Sequence, residues 1–285
     1  MKKLKIGIII DDMTVPKYYL DFIHQICEEH SFFFMPIIIN QNINPSNRDT
    51  ASPISKLNQK IYRDGFSSLI QTLISRIIVF IESKALLRQE IYENFDAKLN
   101  LDNEFSVLEV EPEISRSGFV YRYSKESINS IKDLKLDLML RFGSGILKGD
   151  ILNICKFGIL SLHHGDNREF RGTPAGFWEV FYNKPSTEFV IQKLTTDLDE
   201  DVILAKGSLM TSSTWTRNHA QLSEKSNFFL KNLLDKIAHS RRVPESLESR
   251  DFSNMKIMLD SSRTLFLYML LSLIPLIKKK LLNKL

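Results

Sequence analysis

Short apolar runs that stop abruptly at charged or turn-forming residues set the strongest constraint on what this sequence can become. Lys5 to Ile10 is a β-branched run that ends at Asp11 and Asp12, as a central parallel strand ends. Thr14 then stands at a helix-cap position, Pro16 falls in the first turn, and Tyr19, Phe22, Ile23 and Ile26 recur at helical spacing. Phe32 to Ile39 is a second apolar run. A strand, helix, strand unit of this kind predicts an α/β protein built on a doubly wound, mostly parallel sheet. In such a sheet the cleft lies at the carboxyl ends of the strands.

Further runs extend the pattern. Phe105 to Val110, Phe119 to Tyr123, Leu136 to Leu140, Glu188 to Leu194 and Val202 to Met210 read as strands. Phe66 to Leu87 reads as a helix with Leu69, Leu73, Ile77 and Phe80 on one stripe. Ser124 caps a helix to Asp133, Asp150 to Lys156 is a short helix closed by Gly158, and Thr173 to Tyr182 is another. Residues 40–60, rich in Asn, Ser and Pro, are expected to be a mobile insertion. Helical character returns at Ser223, and Ser240 to Asn254 is polar and linker-like. The expected division is an α/β domain over 1–215 and a helical C-terminal extension over 216–285.

The most informative stretch is Gly158 to Trp178, where an apolar strand gives way to His163, His164, Asp166, Asn167, Arg168 and Arg171. Apolar residues before the break and polar ones after it describe a strand that delivers side chains to a cleft. Ser161 and His163 are two apart and share one strand face, while His164 points to the other. Asp199, in the acidic turn before Val202, is a candidate partner for His163. A carboxylate beside an imidazole raises its pKa and orients it, making a general acid or oxyanion stabiliser suited to acyl or formyl transfer. Arg168 and Arg171 are candidate anion binders, and His164, Asp166 and Asn167 complete the candidate substrate side. Neighbouring histidines on opposite faces, with no third ligand, do not make a metal site.

Cys27 and Cys155 form neither a CxxC pair nor a disulfide framework, which points to buried thiols in a reducing, cytoplasmic compartment. The opening MKKLKIGIIIDD has too short an apolar run for a signal peptide. The net charge of +4 owes much to Lys278, Lys279, Lys280 and Lys284 and does not imply a nucleic-acid partner. Leu265 to Ile277 is uncharged but shorter than the roughly 20 residues that cross a bilayer as a helix. It is either a helix docked on the body, the preferred reading, with weak, peripheral membrane-surface contact through 265–285 as a secondary trait, or an amphipathic membrane-surface anchor.

Ser161-Leu162-His163, Arg171-Gly172 and the downstream Leu198-Asp199-Glu200-Asp201-Val202-Ile203-Leu204 together resemble the folate-dependent formyltransferase family, nearest in character to the sugar N-formyltransferases. The likeness runs from about Lys135 to Met210. It implies a Rossmann-like formyltransferase fold and N10-formyltetrahydrofolate as the formyl donor. The strand and loop LMLRFGSGI, with Arg141, Phe142, Gly143, Ile146 and Leu147, stand where the family holds the pterin through backbone groups. His163 and Asp199 are implied as the catalytic pair, with Ser161 where the family has asparagine. Losing an oxyanion donor costs on the order of a hundredfold in rate, and Asn167 is a candidate to supply the missing amide. Asp201 replaces a family glycine, and Gly165 to Arg168 replace the stretch that usually follows the histidine. The implied acceptor is a small amine, by elimination an amino sugar, nucleotide- or lipid-linked. The second reading is a catalytically weakened module of the same fold that binds an anionic ligand through Arg168 and Arg171.

Overall fold

One mixed sheet of seven strands carries the architecture: β1 (Ile6–Ile10), β2 (Ile37–Asn40), β3 (Ser106–Glu109), β4 (Leu138–Phe142), β5 (Ile159–His164), β6 (Ser186–Lys193) and β7 (Val202–Met210). The computed structural model describes residues 3–28, 36–41, 70, 72–82, 98–100, 104–116, 119–143, 145–165, 170–171, 174–196, 202–247, 256–257, 262–270 and 274. Across the sheet the order is β7-β6-β5-β4-β1-β2-β3. β1 pairs in parallel with β2 and β4, β2 with β3, and β4 with β5. β6 and β7 close one edge as antiparallel strands. The chain order therefore reverses between β1 and β4, and a doubly wound sheet opens its crevice at such a point, beyond the carboxyl ends of its strands.

The helices follow the same logic: α1 (Lys17–Glu28), α2 (Lys125–Asp133), α3 (Phe177–Phe181), α4 (Trp215–Ser240) and α5 (Ser262–Tyr268), beside a helical segment at 72–82. Every residue of β1 and β4 is buried, because helices cover both faces of the central strands. Ile6, Ile8, Leu138, Leu140 and Leu160 face α1 and α4, where Phe22, Ile26, Leu230 and Leu234 complete one core. The alternate residues Ile9, Met139 and Ile159 face α2 and meet Ile128, Ile131 and Ile151. A third cluster joins Ile78, Phe177, Trp178, Trp215, Leu265 and Tyr268. α2 is capped as its sequence predicts: Ser124 Oγ accepts from Ser127 N at 3.2 Å.

Several sequence expectations move. Arg141 and Phe142 are the last residues of β4 rather than loop, and Ile146–Leu147 is a short strand parallel to Val120–Tyr123. Thr14 lies in a short strand, Thr14–Pro16, paired with Lys98–Asn100, rather than capping α1. α4 begins at Trp215, well before Ser223, because its first turns are seated by buried polar contacts that apolar periodicity does not register. Asn218 Nδ2 donates to Gly176 O at 2.8 Å and to Thr187 Oγ1 at 2.9 Å, while Asn218 Oδ1 accepts from Ser212 N at 2.9 Å. Of the expected insertion, Asn40 ends β2 and Gln41 N donates to Ile10 O at 2.9 Å; 42–60 lie outside the described residues.

Candidate functional site

The carboxyl ends of β1, β2 and β4 meet at the switch point in a polar network. Gln41 Nε2 donates to Asp11 Oδ1 at 2.8 Å, and the Tyr123 hydroxyl donates to Gln41 Oε1. Arg141 Nη1 lies 3.8 Å from Asp11 Oδ1, and its guanidinium stands 5.8 Å from the centre of the Tyr121 ring. Burial pulls the guanidinium pKa down from its ordinary value, and the Asp11 carboxylate opposes that shift. Burial likewise raises the Tyr123 phenol above its usual range, against the pull of Arg141. Phe142, on the opposite face, belongs to the core, stacked on Tyr19 at 4.5 Å and edge-on to Phe22.

β5 brings the second half of the site alongside. Parallel pairing sets Ser161 beside Arg141, and antiparallel pairing sets it beside Gln192 on β6, so the three share one row on one face. Continued two residues, the same register places His163 next to Gly143. A Cβ on Gly143 would stand 2.3 Å from Asp11 Oδ1 and 2.9 Å from Arg141 Nη1. The guanidinium therefore runs forward over Gly143 into the row of His163, on strands about 4.8 Å apart. His163 is half-buried, with Nε2 shielded from solvent, opposite Val190. A buried cation, a hydroxyl and an imidazole thus converge at the crevice, a donor set suited to a developing oxyanion.

His164 points to the other face, toward α4, where its Nε2 lies 2.8 Å from Ser226 Oγ. The Ser226 hydroxyl itself donates to Ser223 O at 3.0 Å, so it accepts from His164, whose Nε2 carries the proton. Burial pushes the imidazole down to about 4, which keeps it neutral near pH 7. His164 thus sits between the strand and α4, away from the crevice.

Arg171 lies in the short strand Phe170–Arg171, parallel to Lys256–Ile257. Asp166, Asn167, Arg168 and Asp199 lie outside the described residues. Lys193, the last residue of β6, pairs with Leu160 on β5 and with Val202, the first residue of β7.

After the turn that follows β4, the chain packs on the strand Val120–Tyr123. Gly145 has φ +78°, and a Cβ there would stand 2.6 Å from the Tyr121 ring. Ile146 N donates to Phe119 O at 2.6 Å, Lys148 N donates to Tyr121 O at 3.0 Å, and Leu147 is buried. Sequence reasoning missed Asp11, Gln41, Tyr123 and Gln192 as site residues, and took Arg141 for a backbone contributor. A signal existed for two of them: Asp11 ends an apolar run, and Gln192 interrupts one.

Fold comparison pairs 87% of this chain with 93% of glycinamide ribonucleotide transformylase 1 from Symbiobacterium toebii, at a TM-score of 0.51 and 14% identity. The chain has the formyltransferase fold. A sugar N-formyltransferase from Shewanella sp. is also similar, with 14% identity and a TM-score of 0.47 over 90% of this chain and 77% of that one. No protein-family model and no curated protein matches the sequence. In this formyltransferase-like architecture, β5 is the strand that carries Ser161 and His163 to the crevice.

Proposed function

We propose that the protein is an N-formyltransferase that moves a formyl group from N10-formyltetrahydrofolate to the amine of an amino sugar, nucleotide- or lipid-linked. The observation that carries this reading is the convergence of Arg141, Ser161 and His163 on one face, at neighbouring strand ends beside the switch point. The turn after β4 suits a neutral heterocycle, because the sequence from Gly143 to Leu147 carries no charge. Gly143, Ile146 and Leu147 would hold the folate, which supplies an electrophilic formyl carbon when bound. The Arg141 guanidinium and the Ser161 hydroxyl stabilise the negative charge that develops on the formyl oxygen. As the bond from the formyl carbon to N10 breaks, His163 Nε2 carries the proton lost by the acceptor amine to the departing N10, and Asp199 orients the imidazole.

Asp11 bears on the acceptor. Its side chain is a quarter exposed at the end of β1, and its negative charge suits an ammonium or a hydroxyl better than a phosphate at that point. The test is transfer of labelled formyl from N10-formyltetrahydrofolate to a panel of nucleotide-linked amino sugars. His163→Ala should lower transfer by about 10²- to 10⁴-fold while leaving folate-analogue binding in place. Ser161→Asn should match or exceed the parent, and Ser161→Ala should fall below it. Transfer by folded His163→Ala at the parent rate would reject the assignment; folate-analogue binding without transfer would leave a binding module.

A further inference from the structure

The helical segment 72–82 is turned inside out relative to its pattern. Leu73, Ile77 and Phe80 form the apolar stripe that the sequence sets out for a core, yet Leu73 is 61% and Phe80 63% exposed. The side that packs inward instead carries Ile78 and Glu82, and the Glu82 carboxylate accepts from Thr216 N at 2.7 Å and from the Tyr268 hydroxyl at 2.7 Å. α5 rests on the same cluster through Leu265 and Tyr268 and exposes Phe266, 45% open, together with Leu267 and, one turn on, Leu270. Two helices seated on one cluster thus each turn an apolar stripe outward. Exposed apolar stripes on two helices seated on one cluster mark an interaction surface rather than ordinary scatter.

Charge decides the partner. Arg76 is exposed on the same helical face as Leu73 and Ile77. In sequence, Arg263, Lys278, Lys279, Lys280 and Lys284 fall between 261 and 285 with no acidic residue among them. A sequence that joins aromatic and aliphatic residues to cations and carries no anion has the composition of a segment that lies in the plane of a bilayer surface, its apolar face in the acyl boundary and its cations on anionic headgroups. Among the described residues no helix is long and apolar enough to cross a membrane. We propose that the segment 72–82 and α5 form a docking face for an anionic lipid surface.

Lipid docking is independent of the transfer chemistry, and vesicle sedimentation does not read that chemistry. The full chain is mixed with phosphatidylglycerol-containing vesicles or with pure phosphatidylcholine vesicles and sedimented, and its oligomeric state is measured alone by sedimentation velocity. The expected result is at least tenfold stronger partition onto the anionic vesicles, weakening as salt is raised. Leu73→Ser/Phe80→Ser/Phe266→Ser should lose most of that partition while keeping the parent melting curve, since all three side chains are exposed. Lys278→Glu/Lys279→Glu/Lys280→Glu should lose the anionic preference. Equal partition onto both vesicle types would overturn the proposal. So would absence of binding by a chain that sediments as a dimer and is made monomeric by the triple serine variant, because the face would then be an interface between copies.

Discussion

At the scale of single residues, the clearest titration lies behind the crevice. His164 on β5 and His219 on α4 stand edge to face, 6.2 Å between ring centroids, and the Tyr18 ring lies 6.0 Å from His219. Burial pushes His164 down to about 4, and burial with the neighbouring His164 pushes His219 down to about 3. An unfolded histidine protonates near pH 6.5. As pH falls below that value the unfolded chain takes up protons that the folded chain refuses, so stability present above about pH 6.5 is lost progressively toward pH 4. Each tenfold difference in proton affinity between the folded and the unfolded chain is worth about 1.4 kcal/mol, so the pair makes acid destabilisation of a few kcal/mol by pH 4. The melting temperature should therefore drop between pH 7.5 and pH 5.0, and His219→Gln should narrow that drop whatever its effect at pH 7.5. An undiminished drop in the variant would mean that another group governs acid stability. His163, one residue before His164, faces the crevice instead, and this division of roles follows from strand alternation alone.

Among elements, the most consequential join is made by one carboxylate. Glu82 closes the segment 72–82 onto the first turn of α4 and onto α5, receiving Thr216 N, the Thr216 hydroxyl and the Tyr268 hydroxyl, while Trp215 N donates to the oxygen of Tyr268 at 3.1 Å. Burial raises the carboxyl pKa, and these donors oppose the shift. Glu82→Gln keeps the shape but replaces an acceptor oxygen with a donor nitrogen, leaving at least one buried donor unmatched. The expected cost is about 1 to 3 kcal/mol, read as a lower denaturant midpoint with an unchanged slope. A midpoint equal to the parent would show that the three elements are held by apolar packing alone. Nothing in local periodicity foretells this join, since its partners are 134 and 186 positions away.

For the molecule as a whole, α5 decides whether the C-terminal stretch belongs to the fold. Leu265 and Tyr268 are buried against Phe177 and Trp215, so removal of residues 262–285 should lower the melting temperature by about 5 °C or more. A truncated chain with the parent melting curve would assign the stretch to surface contact only. The sequence by itself determined the parallel sheet, because buried central strands must read as unbroken apolar runs, and it determined the position of Ser161 and His163, because a strand that feeds a cleft changes from apolar to polar where it leaves the core. It also located the Ser124 cap, whose partner lies three residues on. Only the tertiary structure decided that Arg141 turns forward over Gly143, that Asp11, Gln41 and Tyr123 form its surroundings, and that Leu73, Ile77 and Phe80 face outward while Glu82 faces in. The physical reason is range. Strand alternation and helix caps are fixed by neighbours a few residues away, whereas the face of an element that becomes buried depends on which distant elements cover it.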